Sequence, residues 1–133
     1  MKVFLDTNVL ASALATRGLC ADVLRLTIAE HKLLLSEHVL SELEDVLAAK
    51  FGLRESTIAD TLAFLRTYLA AAPKGDPAGV SVSDPADAQI VADAIGAGAE
   101  AFVTGDKELL KLKSRVPLSV LSPREFWGVH RRR

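Results

Sequence analysis

The stretch Lys2-Val3-Phe4-Leu5-Asp6-Thr7-Asn8-Val9-Leu10 decides how the rest of the chain is read. Val3, Phe4 and Leu5 form an unbroken apolar run, the pattern of a short strand covered on both faces, as in a parallel sheet. Asp6 closes the run, and a short helix is expected from Thr7 to Leu14. A strand that ends on an acid and turns at once into a helix places that acid at the carboxyl edge of the sheet. That edge is where open α/β folds bind their ligands. The competing role for Asp6 is to cap the helix that follows, since Asp is a favoured N-cap, although Asn8 could do the capping instead.

The same alternation continues along the chain. A helix is expected over Ala21 to Glu30 and a strand over Lys32 to Leu35. Ser36 can cap a third helix that runs to about Lys50 with Val39, Leu40, Leu43, Val46 and Leu47 on its apolar face, and Gly52 is a typical stop. Ile58, Leu62, Leu65 and Leu69 recur at helical spacing and predict a fourth helix that starts at Ser56 or Thr57 and ends before Pro73. Pro73-Lys74-Gly75-Asp76-Pro77-Ala78-Gly79 is the strongest turn signal and reads as an exposed loop. Asp84-Pro85 opens a fifth helix that stops at Gly96-Ala97-Gly98, and Ala101-Phe102-Val103 is a third strand. A short helix from Lys107, a strand over Pro117 to Leu121 and a last helical turn over Pro123 to Val129 complete the chain. Strands separated by helices imply a parallel sheet with helices on both faces, an α/β fold built as a three-layer α/β/α sandwich.

Composition narrows the function classes. The 133 residues suit a single domain, 1–133, able to bury roughly two thirds of the surface its unfolded form exposes. No apolar run approaches the roughly 20 residues that span a bilayer, and Val3-Phe4-Leu5 is too short for a signal peptide, so the expected setting is the cytoplasm with no membrane partner. The single cysteine, Cys20, excludes an internal disulfide and a cysteine-based zinc site. A net charge of −1 lacks the bulk basic footprint of a nucleic-acid binder, so contact with nucleic acid must be local. The tail His130-Arg131-Arg132-Arg133 is the clearest local concentration of positive charge.

Against that background the acids stand out by position. Asp6 and Asp106 each follow a strand, and Asp106 sits in Thr104-Gly105-Asp106, where the glycine lets the backbone come close to a ligand. Asp87 lies with Ile90, Val91 and Ala94 near the centre of an apolar stripe, while Asp84 is placed to cap the same helix ahead of Pro85. Glu42 falls on one margin of the third helix's apolar stripe and Glu44 on the other, and helical geometry does not choose between them. Carboxylates gathered at one sheet edge raise each other's pKa, and a divalent cation would resolve the repulsion. Oxygen ligands point to Mg²⁺ or Mn²⁺, one or two ions. The histidines His31, His38 and His130 lack metal or triad spacing and read as surface or boundary residues.

Together these segments resemble a known family. Val3 to Leu10, Ser36-Glu37-His38-Val39-Leu40-Ser41-Glu42-Leu43, Asp84-Pro85-Ala86-Asp87 with Ile90-Val91, and Ala101 to Leu110 are similar, in this order, to the PIN domain, the small metal-dependent ribonuclease fold of VapC-type toxins. The resemblance runs from Met1 to about Leu121. It implies that Asp6, Glu42, Asp87 and Asp106 form the catalytic, metal-binding quartet, and so selects Glu42 over Glu44. It also implies that Thr7 or Asn8 orients the first acid, that Thr104 lines the site and that Asp84 is an additional or outer acid. The activity implied is hydrolysis of single-stranded RNA by the toxin of a toxin–antitoxin pair, with an antitoxin that blocks the site and a homodimer formed through helices. Phe126 and Trp127 could serve that interface or close the domain's own core. Two other readings stay open: a PIN nuclease of RNA processing outside a toxin pair, and a non-catalytic RNA- or protein-binding module. An aspartyl-nucleophile phosphatase ranks below them, because that chemistry wants an acid two residues after Asp6, where Asn8 stands.

Overall fold

The computed structural model describes residues 1–69, 74–113 and 115–130. Strand β1 spans Lys2–Leu5, followed by helices α1 (Thr7–Ala15) and α2 (Leu19–Glu30), strand β2 (Lys32–Leu34), and helices α3 (Glu37–Ala49) and α4 (Glu55–Leu65). After two short 3-10 turns, Arg66–Tyr68 and Pro77–Gly79, come α5 (Pro85–Gly96), β3 (Ala101–Val103), α6 (Lys107–Leu110), β4 (Ser119–Leu121) and α7 (Pro123–His130).

The strands form one parallel sheet in the order β2-β1-β3-β4. Val3, Phe4, Leu5, Ala101, Phe102 and Val103 are all fully buried. Successive strand residues point to opposite faces, so complete burial means that both faces of the central pair are covered by helices, giving the three-layer α/β/α sandwich. Phe4 and Phe102 stack across the register with ring centroids 5.8 Å apart.

The strand order positions the site. The chain lays β2 on one side of β1 and then returns to lay β3 on the other, so the switch point falls between β1 and β3. Asp6 donates its backbone N–H to the Val103 carbonyl at 2.9 Å, and Thr104 does the same to Leu121 at 2.9 Å. Both chain exits are thereby held beside the same crevice.

The caps follow from the sequence. Ser36 accepts from the Val39 N–H to open α3, and Asp84 accepts from the Ala86 N–H to open α5, with Pro85 in the first turn. Past α3, Gly52 takes the left-handed φ of 62° while the Leu53 N–H reaches back to the Leu47 carbonyl at 3.0 Å, the bond that commonly stops a helix.

Several expectations need correction. Helix α4 begins at Glu55, not at Ser56 or Thr57, and Leu69 does not extend it. The helix ends at Leu65, and the turn Arg66–Tyr68 carries Leu69 into extended backbone, where it bridges Leu35. The Leu35 N–H donates to the Tyr68 carbonyl at 3.2 Å, so the demand of an edge backbone for a partner overrides the helical periodicity. Strand β4 begins at Ser119, two residues beyond Pro117, and β2 ends one residue short of Leu35. Lys74 to Gly79 is not simply an exposed loop: Gly75 is pinned to α5, donating its N–H to Asp93 Oδ1 and accepting from Gln89 Nε2, both at 2.8 Å. Pro73 and Arg131 to Arg133 lie outside the described residues. Phe126 is fully buried, in a helix packed on α2, so it closes the core and is not available to an interface. Among the described residues no helix is long and apolar enough to cross a membrane.

Candidate active site

Asp6 is both cap and cavity acid. Its Oδ1 accepts from the Thr7 N–H at 2.8 Å at the mouth of α1, so Asn8, which is exposed, is not needed for the cap. Its Oδ2 accepts from the Thr104 hydroxyl at 2.7 Å. That same hydroxyl oxygen accepts from the Asp106 N–H at 3.0 Å, so one fully buried side chain ties the end of β1 to the acid beyond β3. Asp106 in turn accepts from the Glu108 N–H at 2.8 Å and caps α6.

Glu42 reaches the site from α3. Thr7 Oγ1 donates to Glu42 Oε1 at 2.8 Å, linking the first helix to the third. Glu44, on the other margin of α3, is exposed and does not line the cavity. Asp87 projects from the first turn of α5 with no side-chain hydrogen bond among the described residues, while Asp84, exposed, performs the capping.

These residues meet in a cavity of about 320 Å³ lined by Asp6, Thr7, Asn8, Glu42, Asp45, Val46, Asp87 and Asp106. Two placements differ from what the sequence suggested. Thr104 stands behind Asp6 and is not among the lining residues, so it supports the acid from below. Asp45 joins the lining, one turn beyond Glu42 on α3; its i+3 spacing from Glu42 is the signal that could have identified it.

Electrostatics shows that the acids share one environment. Asp87 is pushed from the ordinary 3.8 to about 6, first by burial and then by the charges of Asp84, Asp106, Asp6 and Glu42. Burial also raises Asp6, against the lowering effect of its bonds to Thr104 and Thr7, and Glu42 and Asp106 push it further up. Among the described residues no lysine or arginine lines the cavity to offset this charge.

The donor set fits a hard divalent cation. Among the described lining residues, the side chains able to bind a metal would do so through oxygen. Among the described residues no three carboxylates or imidazoles are drawn together into a ready-made metal cage. A spread of carboxylates around a polar cavity suits Mg²⁺, which commonly binds through one or two carboxylates and keeps several of its waters.

A sequence model of the PIN domain matches residues 2–108. Among solved structures the chain is similar to VapBC2 from Rickettsia felis, bound to a DNA fragment from its promoter, with 19% identity, a TM-score of 0.61 and coverage of 92% of this chain and 98% of that one. It is also similar to VapC20 from Mycobacterium tuberculosis, a sarcin-ricin loop cleaving toxin, with 20% identity, a TM-score of 0.57 and coverage of 88% of this chain and 98% of that one. At these identities the likeness is one of fold. No curated protein sequence matches the chain.

Proposed function

The chain belongs to the PIN domain family, and from that premise we propose that it is a divalent-metal-dependent endoribonuclease that hydrolyses single-stranded RNA, acting as the toxin of a type II toxin–antitoxin pair. The observation that carries the reading is the charge of Glu42 and Asp106 bearing on Asp6 and Asp87 around a cavity whose wall holds no basic residue among the described residues. Such a wall would repel an RNA phosphate unless a cation stood between them. Likeness in fold to VapC20, whose described action is cleavage of the sarcin-ricin loop, supports an RNA substrate, and likeness to VapBC2 supports an antitoxin partner. A homodimer belongs to the same reading.

Asp6, Glu42 and Asp87 would hold the first Mg²⁺ or Mn²⁺, in part through waters that the ion keeps, with Asp106 completing a second site or orienting the attacking water. A cation bound there would supply a water of lowered pKa, and a second would neutralise charge on the leaving oxygen of an in-line displacement. The chain's own contribution is to fix the acids. Thr104 holds Asp6 Oδ2 and the Asp106 backbone together, and Thr7 aims Glu42. Asp84 stays at the helix end, where its charge helps raise Asp87.

The test uses purified protein and labelled single-stranded RNA with and without Mn²⁺. Wild type should cleave with Mn²⁺ and stop in excess EDTA. Asp6→Asn should lose more than about a hundredfold in rate, beyond the loss typical of removing an outer partner of a metal ligand. Cleavage that persists in EDTA would end the metal mechanism; RNA bound but left uncut equally by both proteins would point to a non-catalytic module.

A further inference from the structure

The chemistry proposed for the cavity leaves one neighbouring imidazole unused. His38 lies one turn before Glu42 on α3, with its Nε2 3.5 Å from Glu42 Oε2. That nitrogen is shielded from water and has no hydrogen-bond partner among the described residues. A buried ring N–H left unpaired is unfavourable, and closing the gap by about half an ångström would bring it to hydrogen-bond distance. His38 does not line the cavity, so its effect on anything held there passes through Glu42. On the opposite side of the same carboxylate, Thr7 Oγ1 already donates to Oε1. Each Glu42 oxygen therefore faces one potential donor, from two different helices. Glutamate has a long side chain that loses much rotamer freedom when it is fixed, and fixing it before a ligand arrives reduces what binding must spend.

We infer that His38, with its proton on Nε2, is a positioning residue that hydrogen-bonds Glu42 Oε2 and presents this carboxylate to a divalent cation in the cavity. The inference rests on the cation site proposed above and adds to it a residue outside the acid quartet. Partners of ligating carboxylates generally govern metal affinity as well as rate.

The test is calorimetric titration of MnCl₂ into the metal-free protein, without RNA. His38→Ala should weaken Mn²⁺ binding about tenfold, the lower end of the range for such partners, because the pair is partly exposed. His38→Gln, whose amide offers a donor at similar reach, should recover most of that loss. Thermal melting of metal-free His38→Ala should match wild type, separating positioning from folding. Imidazole ¹⁵N shifts of the metal-free protein should show the proton on Nε2, and Glu42→Gln should move them. Wild-type affinity in His38→Ala, or shifts indifferent to Glu42→Gln, would overturn the inference while leaving the nuclease reading intact. If wild type takes up no Mn²⁺, the cation site itself has failed, and the inference with it.

Discussion

Among the described residues Asp87 has no hydrogen-bond donor to hold its charge, so burial and then its neighbours' repulsion act on it unopposed. Its folded-state pKa of about 6 lies above the ordinary 3.8, so folding favours its protonated form. The stability this brings is present in full below 3.8 and is lost as pH rises through about 6. In metal-free protein, Asp87→Asn should therefore raise the melting temperature above wild type at neutral pH and lose that advantage as pH falls below 3.8. Saturating Mn²⁺ should reverse the order at neutral pH, because only wild type keeps the Asp87 carboxylate proposed to hold the ion. An advantage constant with pH would show that neither burial nor repulsion disfavours the Asp87 charge. Thr104 offers a second test. Thr104→Val keeps the shape but removes the donor to Asp6 Oδ2 and the acceptor for the Asp106 N–H. Urea denaturation should register a loss of about 1–3 kcal/mol, the cost of stranding buried polar partners.

At the level of elements, boundaries written in short-range chemistry were readable and those set by distant partners were not. The run Val3-Phe4-Leu5, the Ser36 and Asp84 caps and the stop at Gly52 all appear in the structure as local patterning required. Leu69 left its helix because Leu35, just past the end of β2, needed a backbone partner. The Ser122 to Glu125 segment holds a reciprocal cap, with the Ser122 N–H donating to Glu125 Oε1 and the Glu125 N–H to Ser122 Oγ, which the spacing alone could have revealed. Gly75 is the clearest hidden case. A turn composition indicated a loop, but not that the loop would dock on Gln89 and Asp93 of α5. A Cβ at this position would fall 2.1 Å from the Ala92 carbonyl oxygen. Gly75→Ala should therefore lift the loop and cost about 1–3 kcal/mol, the range for overpacking a tight contact, as read by urea denaturation. Wild-type stability would show that the loop is not held there.

For the whole molecule, a net charge of −1 conceals a strongly uneven distribution. The β2-β1-β3-β4 order brings the ends of β1 and β3 side by side, and α3 and α5 deliver further acids to that point. Asp6 and Asp106 drew attention in the sequence because each follows a strand, and Asp87 because it sits in an apolar stripe, whereas only the family resemblance selected Glu42 over Glu44. Asp45 drew none, since its place in the wall depends on how α3 meets the sheet edge. Metal-dependent hydrolysis here requires these carboxylates to serve one cation site. A crystal grown metal-free and soaked in Mn²⁺, measured for anomalous scattering, addresses that directly. A shared cation site should give an anomalous peak in the cavity, coordinated by Asp6 and Asp87 directly or through water. Manganese bound only elsewhere, with the cavity holding water alone, would contradict it.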